Sequence, residues 1–446
     1  MRILGLGFGL AVVFGSTVGV GILRLPGTVA AQLGNSWLVL AIWIAGGVYT
    51  LLGAVSIAEL AAMLPQTGGF YVYAKRAFGP AAGFTVGWGD WLNNCAVLAF
   101  GSVAAAEYLS ALITGLAGHE TALALLLLAS LTLVHWIGLR LSSVVLQASC
   151  SATALTLIVL ACACLFHRGT DSAFHRPLPT APSSALAIFA ALIVAFRAVI
   201  VTYDGWYEAI YFAEEDKNPT RNLPRALILG VVLIVALYLL MNLAFLLVMP
   251  MEELAASRLP AADAAQIVLA SSPVAALSGK FVTLLSLLTL ISLVNSVMLG
   301  APRILFAVGR DGLLSERVAT VSVSGTPRPA LLLSSLAAGI LVASGTFESI
   351  VTIAAFFVAS IYCLNYAAVF ALRQREPRAP RPFRAWGYPW STGIVLLGSF
   401  LFLVAAIHGD PITALRAFAL LAISFPVYLW MKRQRMKRRP RDSRSD

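Results

Sequence analysis

Asp90 and Asp204 are carboxylates embedded in long apolar stretches. An acid held at membrane depth costs about 2.5–3.5 kcal/mol on insertion scales, so each is a functional candidate by default. Asp90 stands in Trp88-Gly89-Asp90-Trp91-Leu92-Asn93-Asn94, only about two or three turns from the end of its stretch. That position favours a structural hydrogen bond to a neighbouring helix. Asp204 stands in Thr202-Tyr203-Asp204-Gly205-Trp206, where a carboxylate could bind a cationic group, carry a proton, or pair with Arg24 or Arg197. A second kind of chemistry belongs to the backbone. Gly15-Ser16-Thr17-Val18-Gly19-Val20-Gly21-Ile22 interrupts the first apolar stretch with three glycines, each costing about 1 kcal/mol relative to alanine in a helix. Non-helical backbone at membrane depth is tolerated only where it is buried or lines a cavity, so this stretch needs a user for its freed N–H and C=O groups.

The elements that must position these residues are membrane helices. The chain of 446 residues is 59% hydrophobic and 11% charged, against about 25% charged for an average soluble domain. Twelve apolar segments reach spanning length: 4–31, 36–62, 82–113, 121–139, 143–166, 185–212, 225–249, 273–300, 329–346, 349–372, 390–408 and 412–431. The first is too long for a signal-peptide core and no small-residue cleavage site follows it. Segments 1–5 (residues 1–166) and 6–10 (185–372) form two halves, followed by the last pair (390–431) and a basic tail, 432–446. The loop Pro65 to Arg76, with Phe70, Tyr71 and Tyr73, reads as a short interfacial or re-entrant helix, and the link 250–272 reads as external with a short helix.

The net charge of +11 is distributed as a membrane protein distributes it. Apart from Arg24, Arg168, Arg176, Arg197, Arg258, Lys280 and Arg416, every lysine and arginine falls on one face, which the positive-inside rule assigns to the cytoplasm together with both termini. The tail is then a lipid-facing or solvated patch, not a nucleic-acid arm. All five cysteines (Cys95, Cys150, Cys162, Cys164, Cys363) lie in apolar segments and read as small buried hydrophobes, and Cys162-x-Cys164 is no metal signature. No cofactor is expected. With no cysteine in an external loop, no covalently linked heavy subunit is expected; the assembly is a monomer or a homodimer.

The two interruptions fall in segments 1 and 6, the first of each half, and the two segments run in opposite directions. Matched breaks of this kind point to a transporter with an inverted repeat and a midplane site. A broken helix exposes amides at one new end and carbonyls at the other. The amides suit an anion, the carbonyls a cation, and two breaks facing one another suit a zwitterion such as an α-amino acid.

Several motifs then resemble one family. Gly15 to Ile22; Glu59, Pro65, Gly68-Gly69, Tyr71 and Tyr73; Gly205-Trp206, Glu214-Glu215, Asn218-Pro219 and Leu223-Pro224; Pro302-Arg303 with Gly309 to Leu314; and Arg381 to Arg384 with Gly387-Tyr388-Pro389 are together similar to the amino acid–polyamine–organocation superfamily. The Tyr203 to Trp206 region looks most like bacterial permeases near the L-type amino acid transporter branch. The resemblance covers essentially the whole chain. It implies an all-α membrane protein of 12 spans with the five-plus-five inverted repeat of the leucine-transporter fold, helices 1 and 6 being broken. It implies a secondary amino acid transporter of the cell membrane working by alternating access. The substrate carboxylate would lie on the amides of Gly19, Val20 and Gly21, and its ammonium on carbonyls of Thr17, Val201, Thr202 and Asp204. Tyr203 and Trp206 would be wall or gate residues, with helix packing as the plain alternative.

Two departures stand out. Many relatives have Asn where this chain has Tyr207, and many carry a coupling lysine in segment 5, where this chain has none and aligns Thr153. Thr153 with Thr289 and Ser292 could form a sodium site, although hydroxyls on membrane helices commonly serve as interhelical hydrogen bonds. Asp204 is the other coupling candidate. An enzyme is not expected, because His135 and His408 stand alone and no His-Glu-x-x-His or Ser/His pairing occurs. His167 and His175, eight apart in the loop 167–184, are weak ligand or pH-sensor candidates. A channel has no need of paired breaks. The competing readings are a non-transporting amino acid sensor and a transporter of polyamines or other organic cations.

Overall fold

The computed structural model describes residues 4–167, 173–174, 177–179, 181–270, 277–344 and 347–438. Arg168, Asp171, His175 and Arg176, and the end of the tail beyond 438, lie outside the described residues. The described chain is helical throughout, with one isolated parallel bridge between Leu4 and Asp216. The helices are α1 Leu6–Thr17, α2 Gly21–Leu33, α3 Ser36–Met63, α4 Phe70–Phe78, α5 Pro80–Leu112, α6 Glu120–Ile137, α7 Leu139–Phe166 and α8 Ala185–Tyr203. There follow α9 Pro219–Val248, α10 Met251–Ala256, α11 Pro260–Leu269, α12 Ser278–Arg310, α13 Arg328–Ser344 and α14 Phe347–Arg375. The last three are α15 Trp390–Gly409, α16 Pro411–Ala422 and α17 Ser424–Arg438.

Local chemistry sets many boundaries. Gly34 closes α2 in the left-handed region (φ 59°), where glycine carries no steric penalty. The next residue, Asn35, opens α3 by accepting hydrogen bonds from the Trp37 and Leu38 amides at 2.9 and 3.2 Å. Ser184 caps α8 and Asp410 caps α16 in the same way. Pro80, Pro219, Pro260 and Pro411 each stand at a helix start, where a missing N–H costs nothing.

Among the described residues ten helices are long and apolar enough to cross a membrane, and the bent pair α1–α2 supplies an eleventh. The ninth expected segment is α13, an apolar helix of 17 residues that ends where that described stretch of chain ends. The loop helix expected after Pro65 is α4, and the external link holds two short helices, α10 and α11. Large apolar side chains such as Leu126, Phe166, Leu186 and Phe189 are exposed on the outer helices, while α12 is the most enclosed span. Together these features define a multi-pass membrane protein.

The centre is built from α12 against α5, α3 against α9, α2 against α8, and α1 against α9 and the short 3₁₀ segment Glu208–Phe212. At the periphery α6 packs on α13. One face carries a dense set of ion pairs: Lys75–Asp311 (2.5 Å), Arg76–Glu376 (2.7 Å), Arg303–Glu215 (2.9 Å), Arg310–Glu214 (2.8 Å), and Glu59 with Arg373 and Arg381.

Candidate substrate site at two helix breaks

The first break separates α1 from α2 by residues 18–20 and turns the chain by 47°. Val18 takes an extended backbone (φ −78°, ψ 94°). The helix α2 then starts at Val20 with no side-chain cap, so its leading amides point into the protein interior without the usual partner. The second break follows Tyr203. Asp204 is extended (φ −69°, ψ 157°), Gly205 has φ +101°, and Glu208–Phe212 resumes as a 3₁₀ turn. A helix-ending C=O and a helix-starting N–H are therefore presented at the same depth by two different segments.

The breaks touch. A Cβ at Gly205 would run into the Ser16 carbonyl, which is why only glycine fits there. The Ser16 hydroxyl lies 2.8 Å from the Gly205 carbonyl and 2.6 Å from that of Val12. Gly21 faces Thr202, with 3.0 Å between its ideal Cβ position and the Thr202 methyl. From α9, the Tyr238 hydroxyl reaches the Thr17 carbonyl at 3.1 Å and the Thr202 carbonyl at 3.2 Å. One phenol proton is thus shared between the last carbonyls of both broken helices. Tyr238→Phe should remove the only side-chain donor these two carbonyls have among the described residues. Stability should fall by about 1–3 kcal/mol, the cost of an unsatisfied buried acceptor, read as a lower Tm of the purified protein; an unchanged Tm would mean other donors replace it.

The expected site residues divide. Thr17, Gly19, Val20 and Gly21 form the first break, and Thr202 and Asp204 the second, so these six are brought together. Gly19 also lies near Leu293 of α12. Thr17 Oγ1 is buried without a partner, whereas the Thr202 hydroxyl donates to Ala198 one turn back. The Val201 side chain points outward and is about half exposed; its carbonyl accepts from the Asp204 amide at 3.4 Å. Asp204 accepts a hydrogen bond from the Tyr362 hydroxyl of α14 at 2.5 Å, and among the described residues no ion pair joins it to Arg24 or Arg197. Arg24 instead lies over the Tyr108 ring. Tyr203 is buried against α3 and α9, its hydroxyl on the Trp43 carbonyl and its ring against Trp43 and Tyr238. Trp206 stacks on Tyr362 with ring centroids 5.9 Å apart and 13° between planes.

Thr289 and Ser292 donate to carbonyls one turn back on α12, and Thr153 Oγ1 on α7 is buried without a partner. Among the described residues no group of three or more His, Cys, Asp or Glu could hold a metal ion. Beside α1 runs a crevice. A part of about 510 Å³ is lined by Leu4, Gly7, Phe8, Arg140, Gln147 and Lys217 among others. A part of about 320 Å³ continues past Leu10, Ala11 and Phe14 to Cys150. It approaches the first break from the face that carries the ion pairs.

Two residues of the site were not singled out from the sequence. Tyr238 and Tyr362 stand as polar-tipped residues in otherwise apolar segments, and that was their only signal.

The structure is that of an all-helical membrane protein with two apposed, glycine-containing breaks. The sequence profile of the amino acid permease family matches residues 9–428, and the chain belongs to that family, within the amino acid–polyamine–organocation superfamily. The chain is similar to the serine/threonine exchanger SteT of Bacillus subtilis (strain 168), 27% identical over 445 residues and covering 97% of each chain. It is similar to the b(0,+)-type amino acid transporter 1 of Mus musculus, 28% identical over 90% of this chain and 82% of that one. It is also similar to the cystine/glutamate transporter of Homo sapiens, 26% identical over 96% of this chain and 85% of that one.

Proposed function

We propose that this permease is a secondary active transporter that carries amino acids across the cell membrane by alternating access. The observation that carries the reading is the direct apposition of the two breaks, joined by Ser16–Gly205 and by Tyr238. The uncapped start of α2 offers the Gly19, Val20 and Gly21 amides and the positive end of a helix dipole to a carboxylate. The ends of α1 and α8 offer carbonyls of Thr17, Val201, Thr202 and Asp204 to an ammonium. Both groups are common to all α-amino acids, so selectivity falls to side chains around Asp204, Trp206 and Tyr362. The named activities of the relatives agree with the substrate class and differ in the amino acid, so they do not select one.

The packing order supports an inverted repeat. A pseudo-twofold axis would bring segment 1 onto 6, 2 onto 7, 3 onto 8 and 4 onto 9. The pairs α2–α8, α3–α9, α5–α12 and α6–α13 pack together in that order. The excess of basic residues on the ion-paired face supports a cytoplasmic position for both termini.

Counterflow of labelled amino acids in proteoliposomes tests the function. Saturable binding without flux for every amino acid would instead favour a sensor. The role of Asp204 has its own expectation. Asp204→Asn should selectively impair uptake of cationic substrates or the pH dependence of transport while uptake of neutral substrates persists. A mutant with unchanged substrate range and unchanged pH profile would remove Asp204 from both selectivity and coupling.

A further inference from the structure

Below the second break, on the side of the ion-paired face, lies a second polar cluster that substrate binding does not use. Asp90 of α5 is fully buried, and Glu208 and Tyr211 of the 3₁₀ segment are 2% and 0% exposed. The Tyr211 hydroxyl lies 2.8 Å from both Asp90 oxygens. Asn94 donates to the Asp90 carbonyl at 2.9 Å, which leaves its own Oδ1 buried without a donor. Glu208 Oε2 is likewise buried without a partner, pressed against Gly300 of α12 beside the Tyr211 ring.

The charges facing this cluster are of one sign. Glu208 Oε2 and the Tyr211 ring share the space beside Gly300, and the Tyr207 ring lies edge-on to Tyr211 with centroids 6.4 Å apart. From α14, Tyr362 is engaged with Asp204. On α12 the nearest guanidinium, Arg303, is paired with Glu215 at 2.9 Å, and on α4 Lys75 is paired with Asp311 at 2.5 Å. Among the described residues no cation pairs with Asp90 or Glu208. A carboxyl buried without a countercharge or a hydrogen-bond donor is disfavoured in its ionised form. Asp90, already accepting from Tyr211 on both oxygens, is set up as the charged member. Glu208, with an oxygen that has no donor, is set up as the member that holds a proton.

We propose that Asp90, Tyr211 and Glu208 form a proton-binding site, and that the proton bound there travels with the substrate. This rests on the transport reading above. The arrangement supplies the coupling. Glu208 sits on the segment leaving the break, whereas Asp90 and Gly300 sit on α5 and α12, which pack extensively on one another. Displacing the broken segment separates the carboxyls and opens Glu208 to water, where it can release its proton. Substrate-driven motion at Asp204 and proton release at Glu208 are then one event, four residues apart. The site also stands in a chain whose segment 5 contains no lysine.

The test uses the purified full-length protein in proteoliposomes, with the mixture of proteinogenic amino acids as probe. At zero membrane potential an inward proton gradient should drive accumulation, up to about tenfold per unit of pH difference for one proton per substrate, with acidification of the lumen. Glu208→Gln, and the double variant Asp90→Asn/Glu208→Gln, should lose accumulation and acidification while keeping counterflow. Infrared difference spectra across a pH step should show a protonated carboxylic acid band that Glu208→Gln removes. Should Glu208→Gln not fold, Tyr211→Phe keeps both carboxyls and should change the pH at which that band titrates. Wild-type accumulation in the Gln variants, accumulation that follows sodium and not pH, or an unchanged titration in Tyr211→Phe would each overturn the proposal. Intact wild-type counterflow without acidification overturns this proposal alone, whereas absent counterflow for every amino acid overturns the transport reading.

Discussion

Gly205→Ala should abolish amino acid flux in proteoliposomes, by far more than its single added methyl suggests. Gly205 holds φ +101°, which costs a residue with a side chain about 1–3 kcal/mol by itself. The larger penalty is positional. The new Cβ would meet the Ser16 carbonyl, a backbone atom that no rotamer change can move. Relief requires separating the two breaks, and that also parts the Ser16 hydroxyl from Gly205 and strains the Tyr238 bridge. Gly21→Ala is the graded comparison. Its Cβ would meet only the Thr202 methyl at 3.0 Å, so it should weaken transport without eliminating it. Equal flux in Gly205→Ala and wild type would show that close contact between the breaks is not needed.

Glu59→Gln should produce the largest loss of stability among single isosteric changes. Glu59 is 1% exposed at the end of α3. It accepts from Arg373 at 2.9 and 2.5 Å and from the Ala385 amide at 2.7 Å, and pairs with Arg381 at 3.2 Å. Arg373 in turn lies 3.8 Å over the Tyr388 ring. One carboxylate therefore ties α3 to the end of α14 and to the loop before α15. Removing its charge leaves two partly buried guanidiniums facing one another, a disruption worth about 3–5 kcal/mol. Thermal unfolding of the purified protein should show a clearly lower Tm, and size-exclusion chromatography a rise in aggregate. An unchanged Tm would mean that the arginines find other acceptors.

The backbone features were the most legible part of the sequence. Glycine spacing and the Tyr203 to Trp206 interruption located both breaks, because backbone cost is a local property. The Pro65 and Gly68-Gly69 pair located the end of α3 and the start of α4 for the same reason. What side chains do across elements was not legible. Glu59 and Arg381 stood in two separate motifs, and only packing joins them at one site. Pairing with Arg24 or Arg197 was one of three readings of Asp204, and the side chain meets the Tyr362 phenol of α14 instead. Tyr203 turns toward α3, a direction set by how α8 packs and invisible in the order of residues.

Leu4, at the very start of the described chain, exchanges backbone hydrogen bonds with the stretch leaving the second break. Its amide donates to Glu215 and its carbonyl accepts from Lys217, both at 3.0 Å. Together with Phe8 against Phe212, this ties the start of α1 to the stretch that leaves the second break, so the two broken segments are joined a second time, away from the breaks themselves.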